Sequence, residues 1–276
     1  MRLLRRIKKD LPLYVSQIIG KSISERDIIQ CLLGQGFSKG DKIMVHSSLS
    51  SIGLVNGGAR TIISALQSVV GENGLLVMPT FPAERGNYEY VIKNSVFSCQ
   101  NTPSRMGIIT EIFRTTHGVY RSIHPTHSLA AWGKDAEKFV QGHDKGNTLF
   151  GFGTPFEKIL NSNFKVLLIG VNFENMTICR IIEDLEPDLY IDPYLSKTFP
   201  IKIINKDNTQ KIMHIKVHNP EISKKRKNMI LYPYLKENGG VKEFKLGQAS
   251  CMWVYTAEVY EMQKRLAQSE VYTYNL

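Results

Sequence analysis

Short apolar runs and longer segments with one apolar stripe follow each other along the chain. Residues 42–46, 75–78 and 165–170 predict buried strands, because their apolar residues follow one another almost without interruption. Residues 24–33 and 59–70 predict amphipathic helices, and Ser24 with a carboxylate three positions later is a typical N-terminal cap. The succession strand, glycine loop, helix, turn, strand predicts a parallel β-α-β unit.

The rest of the chain mixes helices with a later stretch of β pattern. Residues 82–105 look irregular, a loop leads into a short strand before residue 132, and 143–155 predict a long loop. Further helices are predicted at 106–113, 136–141, 156–160, 177–185 and 256–269. Residues 194–217 predict strands with a hairpin at 205–208. The sequence shows neither an internal repeat nor a clear linker. It therefore predicts one α/β domain over 1–276 with a β-rich C-terminal elaboration.

Composition limits the class of protein. The chain has 276 residues, of which 42% are hydrophobic and 22% charged, as in an ordinary globular protein. No run approaches the roughly 18 apolar residues of a membrane span, so no integral membrane association is expected. The four cysteines are far apart and form no C-x-x-C pair, which disfavours a disulfide scaffold or zinc finger and suits a reducing cytoplasm.

Charge points to an anionic partner. Lys and Arg total 35 against 25 for Asp and Glu, a net charge of +10. The field favours nucleic acid, anionic membrane or a phosphate-bearing small molecule. The basic runs at 2–9 and 224–227 contain no interleaved aromatic residues, so we expect solvated surface and no nucleic-acid partner. Residues 1–10 predict a basic helix, with a neighbouring subunit as its candidate contact, and the lack of a small-x-small cleavage site after it argues against a signal peptide.

Two loops after the first strand are candidate ligand sites. His46, Ser47 and Ser48 lie at the carboxyl end of that strand, the edge where open α/β sheets bind ligands. The glycine loop 55–59 precedes a helix, so its backbone N–H groups are suited to a phosphate, although a plain tight turn is the slightly favoured alternative. Neither a dinucleotide fingerprint nor a P-loop is present.

The middle of the chain carries the histidines. His124 and His127 lie three residues apart in a predicted loop, and imidazole is the commonest acid or base near pH 7. No carboxylate or thiol near these histidines completes a set of metal ligands, so no bound metal is expected. His143 precedes a glycine-rich loop, and Arg180 and Glu183 share one helix face, where an intrahelical ion pair is the alternative to a site. A serine-hydrolase G-x-S-x-G motif is absent.

The ordered set of these segments resembles the aminoglycoside 3-N-acetyltransferase family, which has the antibiotic N-acetyltransferase fold. The segments are M-V-H-S-S-L-S-S-I-G (44–53), V-N-G-G-A (55–59), L-L-V-M-P-T-F (75–81), R-S-x-H-P-T-H-S-x-A-A-x-G (121–133), a histidine at 143, F-G-x-G-T-P-F (150–156), V-L-L-I-G-V-x-F-x-N-x-T (166–177) and Glu183. The match covers about residues 24–190, and the chain beyond 190 matches only loosely.

The resemblance implies an αβα sandwich around a mixed sheet and direct transfer of an acetyl group from acetyl-CoA to an amine of an amino sugar, without a metal. Carried over by position, it implies a catalytic role for Glu183 and an acceptor contact from Thr177. The residues themselves add His127 and His143 as catalytic candidates and Arg180 as an acceptor contact, since arginine can orient a carboxylate or phosphate. It implies CoA contacts from the strand end and glycine loop, and from the later segment: His46, Ser47, Ser48, Leu49, Val55, Gly57, Gly58, Arg121, Ser122, Thr126 and Ser128. A homodimer is left open.

One position departs from the family. Many members read T-x-x-H-x-x-E where this chain reads Thr177-Ile-Cys-Arg180-Ile-Ile-Glu183, and that histidine deprotonates the attacking amine. Arginine stays protonated and cannot replace it. The sequence therefore predicts a different imidazole as base, His127 ahead of His143, with His218 and His46 next, or else a different acceptor or a loss of activity.

Two functional hypotheses follow. The first is an acyl-CoA-dependent N-acyltransferase, with an anionic acceptor such as a nucleotide-linked or surface-polysaccharide amino sugar favoured over a polycationic aminoglycoside by the +10 charge and Arg180. The second is a catalytically silent relative that binds CoA.

Overall fold

The computed structural model describes residues 22–83, 86–145 and 148–275. The basic helix predicted at 1–10 lies outside these residues. A seven-stranded mixed sheet forms the centre, in the order β4-β5-β2-β1-β6-β10-β9. Its strands are β1 (Lys42–Ser47), β2 (Leu75–Pro79), β4 (Tyr120–Arg121), β5 (Leu129–Gly133), β6 (Lys165–Ile169), β9 (Lys242–Leu246) and β10 (Ala249–Tyr255). The three central strands, β2, β1 and β6, are parallel, and the two strands on each side run antiparallel to their neighbours.

Helices cover both faces of this sheet. The α-helices are α1 (Glu25–Gly34), α2 (Leu49–Ile52), α3 (Ala59–Val70), α4 (Asn87–Lys93), α5 (Ile108–Arg114), α6 (Ala136–Phe139), α7 (Pro155–Asn161), α8 (Ile181–Leu185), α9 (Pro220–Ser223), α10 (Leu231–Glu237) and α11 (Thr256–Ala267). Short 3₁₀ helices span Phe173–Asn175, Thr177–Arg180 and Asn228–Ile230. The predicted αβα sandwich is confirmed.

Alternating side chains of the central strands build two cores. Ile43 and Val45 point to the face covered by α1, α3 and α5, whereas Met44 points to the face covered by α6, α7 and α11. Because both faces are buried, the central strands read as continuous apolar runs instead of alternating patterns. The capping box that begins α1 is present, with Asp27 N–H donating to Ser24 Oγ at 3.2 Å.

The β-rich elaboration is a second sheet of three strands, β3 (Val96–Ser98), β7 (Phe199–Ile204) and β8 (Gln210–Ile215). The predicted hairpin joins β7 and β8, with Asn208 at a positive φ of 65°. Strand β3 pairs in parallel with β7, so the prediction that 82–105 is irregular was wrong for α4 and β3. These short elements gain their stability from packing on the distant hairpin, which local sequence does not encode.

The segment predicted as one helix over 177–185 is divided. It begins as the 3₁₀ helix Thr177–Arg180 and continues as α8. All four cysteines are unpaired. Among the described residues no helix has the length and apolar character needed to cross a bilayer.

Candidate active site

A cleft opens at the carboxyl end of β1, the sheet edge that the sequence predicted as a ligand site. Its volume is about 550 Å³, and its walls come from the end of β1, the glycine loop and the start of α5. The lining residues are Ser47, Ser48, Leu49, Ser50, Gly53, Leu54, Val55, Gly58, Met106, Gly107, Ile108 and Ile109. Ser47 Oγ is buried and has no hydrogen-bond partner among the described residues. Such an atom is a natural contact for a polar ligand group.

The glycine loop contributes to this cleft through Val55 and Gly58, as predicted. Gly57 does not line it and has a different task. Its φ is +77°, and a Cβ there would lie 2.4 Å from Thr61 Oγ1, so this position requires glycine to let α3 begin at residue 59. Gly57 is therefore a residue of the turn that shapes the cleft.

Arg121, predicted as a CoA contact, lies in the protein interior. Its side chain donates to carbonyl oxygens of Thr80, Cys99 and Thr102 and to the hydroxyls of Thr80 and Ser128. Ser128 donates in turn to the carbonyl oxygen of Thr80 at 2.9 Å, and both residues are buried. The guanidinium thus fixes the segment after β3 to β2, which corrects the roles predicted for Arg121 and Ser128.

Ser122 and His143 form a second internal pair. Ser122 Oγ and His143 Nδ1 lie 2.8 Å apart, and His143 Nε2 faces the carbonyl oxygen of Leu149 at 3.2 Å. The ring also stacks on His124 at a centroid distance of 4.6 Å. Burial lowers the pKa of His143 to about 3. Because both ring nitrogens are occupied inside the protein, the geometry disfavours the predicted roles of His143 as a base and of Ser122 as a CoA contact.

His127 is likewise enclosed. Its Nδ1 lies 3.0 Å from Thr126 Oγ1, and its Nε2 lies 3.4 Å from both Asn87 Nδ2 and Arg180 Nη1. Burial and then the Arg180 charge hold the pKa of His127 well below its usual value. A neighbouring guanidinium opposes uptake of a proton, so the geometry disfavours the predicted role of His127 as the base. Thr126, predicted as a CoA contact, is fully buried and bonded to His127.

A second cavity, of about 300 Å³, opens beside the 3₁₀ helix that ends at Arg180. We call it the acceptor cavity. Its lining residues are Gly86, Asn87, Tyr88, Glu89, Glu174, Arg180, His218, Pro220, Ser223 and Arg226. Arg180 is half-buried in its wall, whereas Thr177 is 5% exposed and does not line it, which corrects the acceptor contact predicted for Thr177.

Glu183 is the centre of a buried charge cluster behind this cavity. Its Oε1 accepts from Arg226 Nη1 and, at 2.7 Å, from Tyr274 Oη, while Oε2 faces His218 Nε2 at 3.4 Å. The contacts contain no Arg180–Glu183 ion pair. Burial by itself raises the pKa of Glu183, but the Arg226 charge and the His218 ring outweigh it and lower the pKa to about 2. Glu183 is therefore an anion at neutral pH.

Arg226 and Tyr274 belong to the site and were missed by sequence analysis. The run 224–227 was predicted to be solvated surface, yet the Arg226 side chain is 7% exposed and turns inward to Glu183. Lys224 in the same run remains exposed and pairs with Glu221. Four consecutive basic residues give no signal of which one turns inward. That choice follows from the strand-like bridge between Arg226 and Tyr274.

Each of the two openings is lined by a residue with an unpartnered polar atom. Ser47 Oγ in the cleft and Arg180 Nε in the acceptor cavity are buried and have no hydrogen-bond partner among residues 22–83, 86–145 and 148–275. His46 Nε2, one residue before Ser47, is also unpartnered, and burial and the Arg180 charge lower the pKa of His46 to about 3. No group of three or more potential metal ligands occurs in the described part of the chain.

Comparison with known proteins gives consistent matches. A family model described as aminoglycoside 3-N-acetyltransferase matches residues 44–268. The chain is 38% identical over 178 residues to the SPbeta prophage-derived aminoglycoside N(3')-acetyltransferase-like protein YokD of Bacillus subtilis, a match that covers 58% of this chain and 64% of that protein. It thus spans less than two thirds of that relative's length.

Solved structures show the same fold over more of the chain. The YokD crystal structure superposes with a TM-score of 0.75 at 28% identity and covers 89% of this chain and 93% of that one. AAC-IIIb, solved with CoASH, gives a TM-score of 0.77 at 21% identity, covering 93% of this chain and 100% of that one. AAC-VIa, solved with sisomicin, gives 0.76 at 21% identity, covering 91% and 99%. At these two lower identities the likeness concerns the fold.

Proposed function

The chain belongs to the aminoglycoside 3-N-acetyltransferase family, and from this we propose that it transfers an acetyl group from acetyl-CoA to an amine of an amino sugar. The observation that carries the proposal is that each opening is lined by a residue with a buried polar atom that has no hydrogen-bond partner among the described residues, Ser47 in the cleft and Arg180 in the acceptor cavity. Unsatisfied buried polar groups are costly in a folded protein, so such atoms on the walls of two openings are typical of a site that two ligands complete.

The cleft is the proposed site for acetyl-CoA. Its apolar walls suit the pantetheine chain, and Ser47 Oγ is available to a carbonyl or amide of that chain. One structural neighbour was solved with CoASH, which supports this choice of ligand. The guanidiniums nearest in sequence to the lining residues are Arg60 and Arg105, both exposed and without an ion pair among the described residues. We assign them, in place of Arg121, to the phosphates of CoA.

Replacing Arg105 is expected to weaken acetyl-CoA binding. An exposed charge pair contributes up to about 1 kcal/mol, so Arg105→Ala should raise the Kd for CoA by about fivefold, with a smaller effect at high salt. Isothermal titration of CoA at two salt concentrations measures this. Arg265→Ala is the matched control, because Arg265 is also exposed but lies on α11 and does not line the cleft. Equal effects of the two variants would contradict the assignment.

The acceptor is proposed to be an amino sugar that also carries a phosphate or carboxylate, such as a nucleotide-linked or surface-polysaccharide amino sugar. Arg180 supplies a guanidinium without an ion-pair partner among the described residues at the inner wall of the acceptor cavity, and Glu89 and Glu174 supply carboxylates at its exposed side. A guanidinium binds phosphate or carboxylate with two parallel hydrogen bonds, while the carboxylates attract the ammonium group. A polycation such as sisomicin, bound by one neighbour, would meet the Arg180 charge.

Release of CoA thiol from acetyl-CoA with a panel of amines tests this function. Glucosamine 6-phosphate is expected to react with a higher kcat/KM than glucosamine or gentamicin. Arg180→Gln should raise the KM for the phosphorylated sugar by about 10–100-fold, which is the value of a hydrogen bond to a charged group, and should lower the KM for gentamicin. Arg265→Gln, which removes the same charge outside this cavity, should change neither constant.

Two results would contradict the proposal at different levels. Gentamicin turnover above that of every anionic amine would contradict the acceptor class alone. Binding of acetyl-CoA without thiol release for any amine would favour the catalytically silent relative, to which the arginine at position 180 also points.

A further inference from the structure

We propose that His218 accepts the proton of the attacking amine and that Glu183 positions its ring, so that the base of this enzyme stands on a different element from the family's. The inference rests on the proposed transferase function. The family's histidine position is occupied by Arg180, which cannot accept a proton. His218 follows β8, lines the acceptor cavity and faces the Glu183 carboxylate.

The polar atoms His218 Nε2 and Glu183 Oε2 face each other. His218 Nε2 and Glu183 Oε2 lie 3.4 Å apart, both are buried, and neither has another partner among the described residues. The backbone around His218 is fixed by a bridge to Tyr194 and by the Asn219 N–H, which donates to the carbonyl oxygen of Pro193 at 2.7 Å. The other Glu183 oxygen is held by Arg226 and Tyr274, so the carboxylate has a fixed direction.

The other buried imidazoles lack this combination. His143 has both nitrogens occupied, and His127 faces the Arg180 guanidinium. His124 Nδ1 accepts from the backbone N–H of His127 at 3.1 Å and lines neither opening. His46 has a free Nε2, but it lines neither opening and has no carboxylate partner among the described residues. Only His218 among these five both borders the acceptor cavity and faces a carboxylate.

This arrangement fixes the tautomer that a base needs. Glu183 is an anion and can only accept, so Nε2 carries the proton and Nδ1 keeps its lone pair. Burial lowers the pKa of His218 to about 4, Glu183 acts in the opposite direction, and the Arg226 and Arg180 charges act in the same direction as burial, so the ring is neutral near pH 7. Glu183 then stabilises the imidazolium when a proton arrives, as a carboxylate does behind other catalytic imidazoles.

The His218 ring takes up one proton during the reaction and releases it again. The neutral amine nitrogen attacks the thioester carbonyl carbon, a C–N bond forms, and His218 Nδ1 takes the proton released from the nitrogen. The C–S bond then breaks, and the sulfur leaves with that proton, regenerating neutral His218. The products are the N-acetyl amine and CoA thiol, and no oxidant, metal or acyl-enzyme takes part. Arg180 has the separate task of binding the acceptor's anionic group.

His218→Ala tests the assignment with the phosphorylated amino sugar at pH 7.5. We expect kcat to fall by about 10²–10⁴-fold while the Kd for CoA stays within twofold, because general-base catalysis contributes that factor to the rate alone. Added imidazole should restore part of the lost rate, which a purely structural role would not allow. His214→Gln is the matched control, since His214 lies four residues earlier on β8 and is exposed. Should His218→Ala fail to fold, His218→Gln, which keeps the bulk of the side chain, supplies the same comparison.

The outcomes separate this inference from the function on which it rests. A wild-type protein that releases no thiol with any amine would contradict the transferase function and this role with it. An active wild type together with a folded His218 variant within threefold of its kcat would overturn the role of His218 alone. A loss of rate that imidazole does not restore, accompanied by a raised acceptor KM, would also overturn it, because His218 would then only bind the acceptor.

Discussion

The protein is expected to lose its fold between about pH 6 and pH 4.5. Five imidazoles, those of His46, His124, His127, His143 and His218, are buried, and burial lowers the pKa of each. A lowered pKa means that the folded state binds fewer protons than the unfolded state once the pH drops below the ordinary histidine value of about 6.5. Acid therefore stabilises the unfolded chain.

The size of the effect follows from the number of protons. Each imidazole contributes about 1.4 kcal/mol per pH unit while it is protonated only in the unfolded state. Asp184 acts in the opposite direction, because burial raises its pKa to about 6. A net uptake of about four protons on unfolding lowers the free energy of unfolding by about 5 kcal/mol for each pH unit of acidification. This loss is comparable with the whole stability of an ordinary domain.

Urea unfolding at a series of pH values from 8 to 5 measures this slope. His143→Gln should reduce the slope by about one proton, whereas the exposed His214→Gln should leave it unchanged. A free energy of unfolding that stays constant within about 1 kcal/mol between pH 7.5 and pH 5.5 would show that these rings are not neutral and buried in solution.

Replacing Glu183 is expected to cost both stability and activity. Glu183→Ala leaves the Arg226 guanidinium buried without its carboxylate, and breaking a buried ion pair in this way costs about 3–5 kcal/mol. It also removes the group that orients His218, so kcat should fall with it. The matched control is Glu186→Ala, one turn further along, whose partly exposed pair with Lys264 contributes less than about 1 kcal/mol.

A double-variant cycle separates the effect of the Glu183–Arg226 ion pair on stability from the effect of Glu183 on catalysis. Glu183→Leu combined with Arg226→Met should be more stable than either single variant, because the pair is then replaced by apolar side chains instead of broken. Activity should remain low in the double variant, since His218 still lacks its carboxylate. Additive losses of stability would mean that the two groups do not interact in solution.

The sequence was informative wherever a signal was local. The apolar runs of the central strands lie in the core on both sides, so their composition alone predicted burial and parallel pairing. Ser24 predicted the start of α1, because a cap needs only residues within one turn. The ordered motifs predicted the family and placed His46, Ser47 and Ser48 at the right edge of the sheet. The departure at Arg180 was also visible in the sequence.

What the sequence left undetermined is the direction in which each polar side chain points. One motif of the family contains Arg121, Ser122, Thr126 and Ser128. Only the packed structure shows that their side chains form hydrogen bonds in the interior: Arg121 with Ser128, Ser122 with His143 and Thr126 with His127. Histidines that look alike in a motif differ in whether a ring nitrogen is already occupied. That difference depends on residues 20 or more positions away, such as Ser122 for His143 and Arg180 for His127.

The sequence by itself determined the layered α/β architecture, the family and the sheet edge that carries the site, because hydrophobic periodicity and short motifs act over a few residues. Only the tertiary structure decided that His218, Arg226 and Tyr274 meet at Glu183. These residues come from the segment after β8, a basic run and the last described residues, and no local pattern relates them. They meet because a carboxylate removed from water needs ion-pair and hydrogen-bond partners, and these come from whichever elements pack around it.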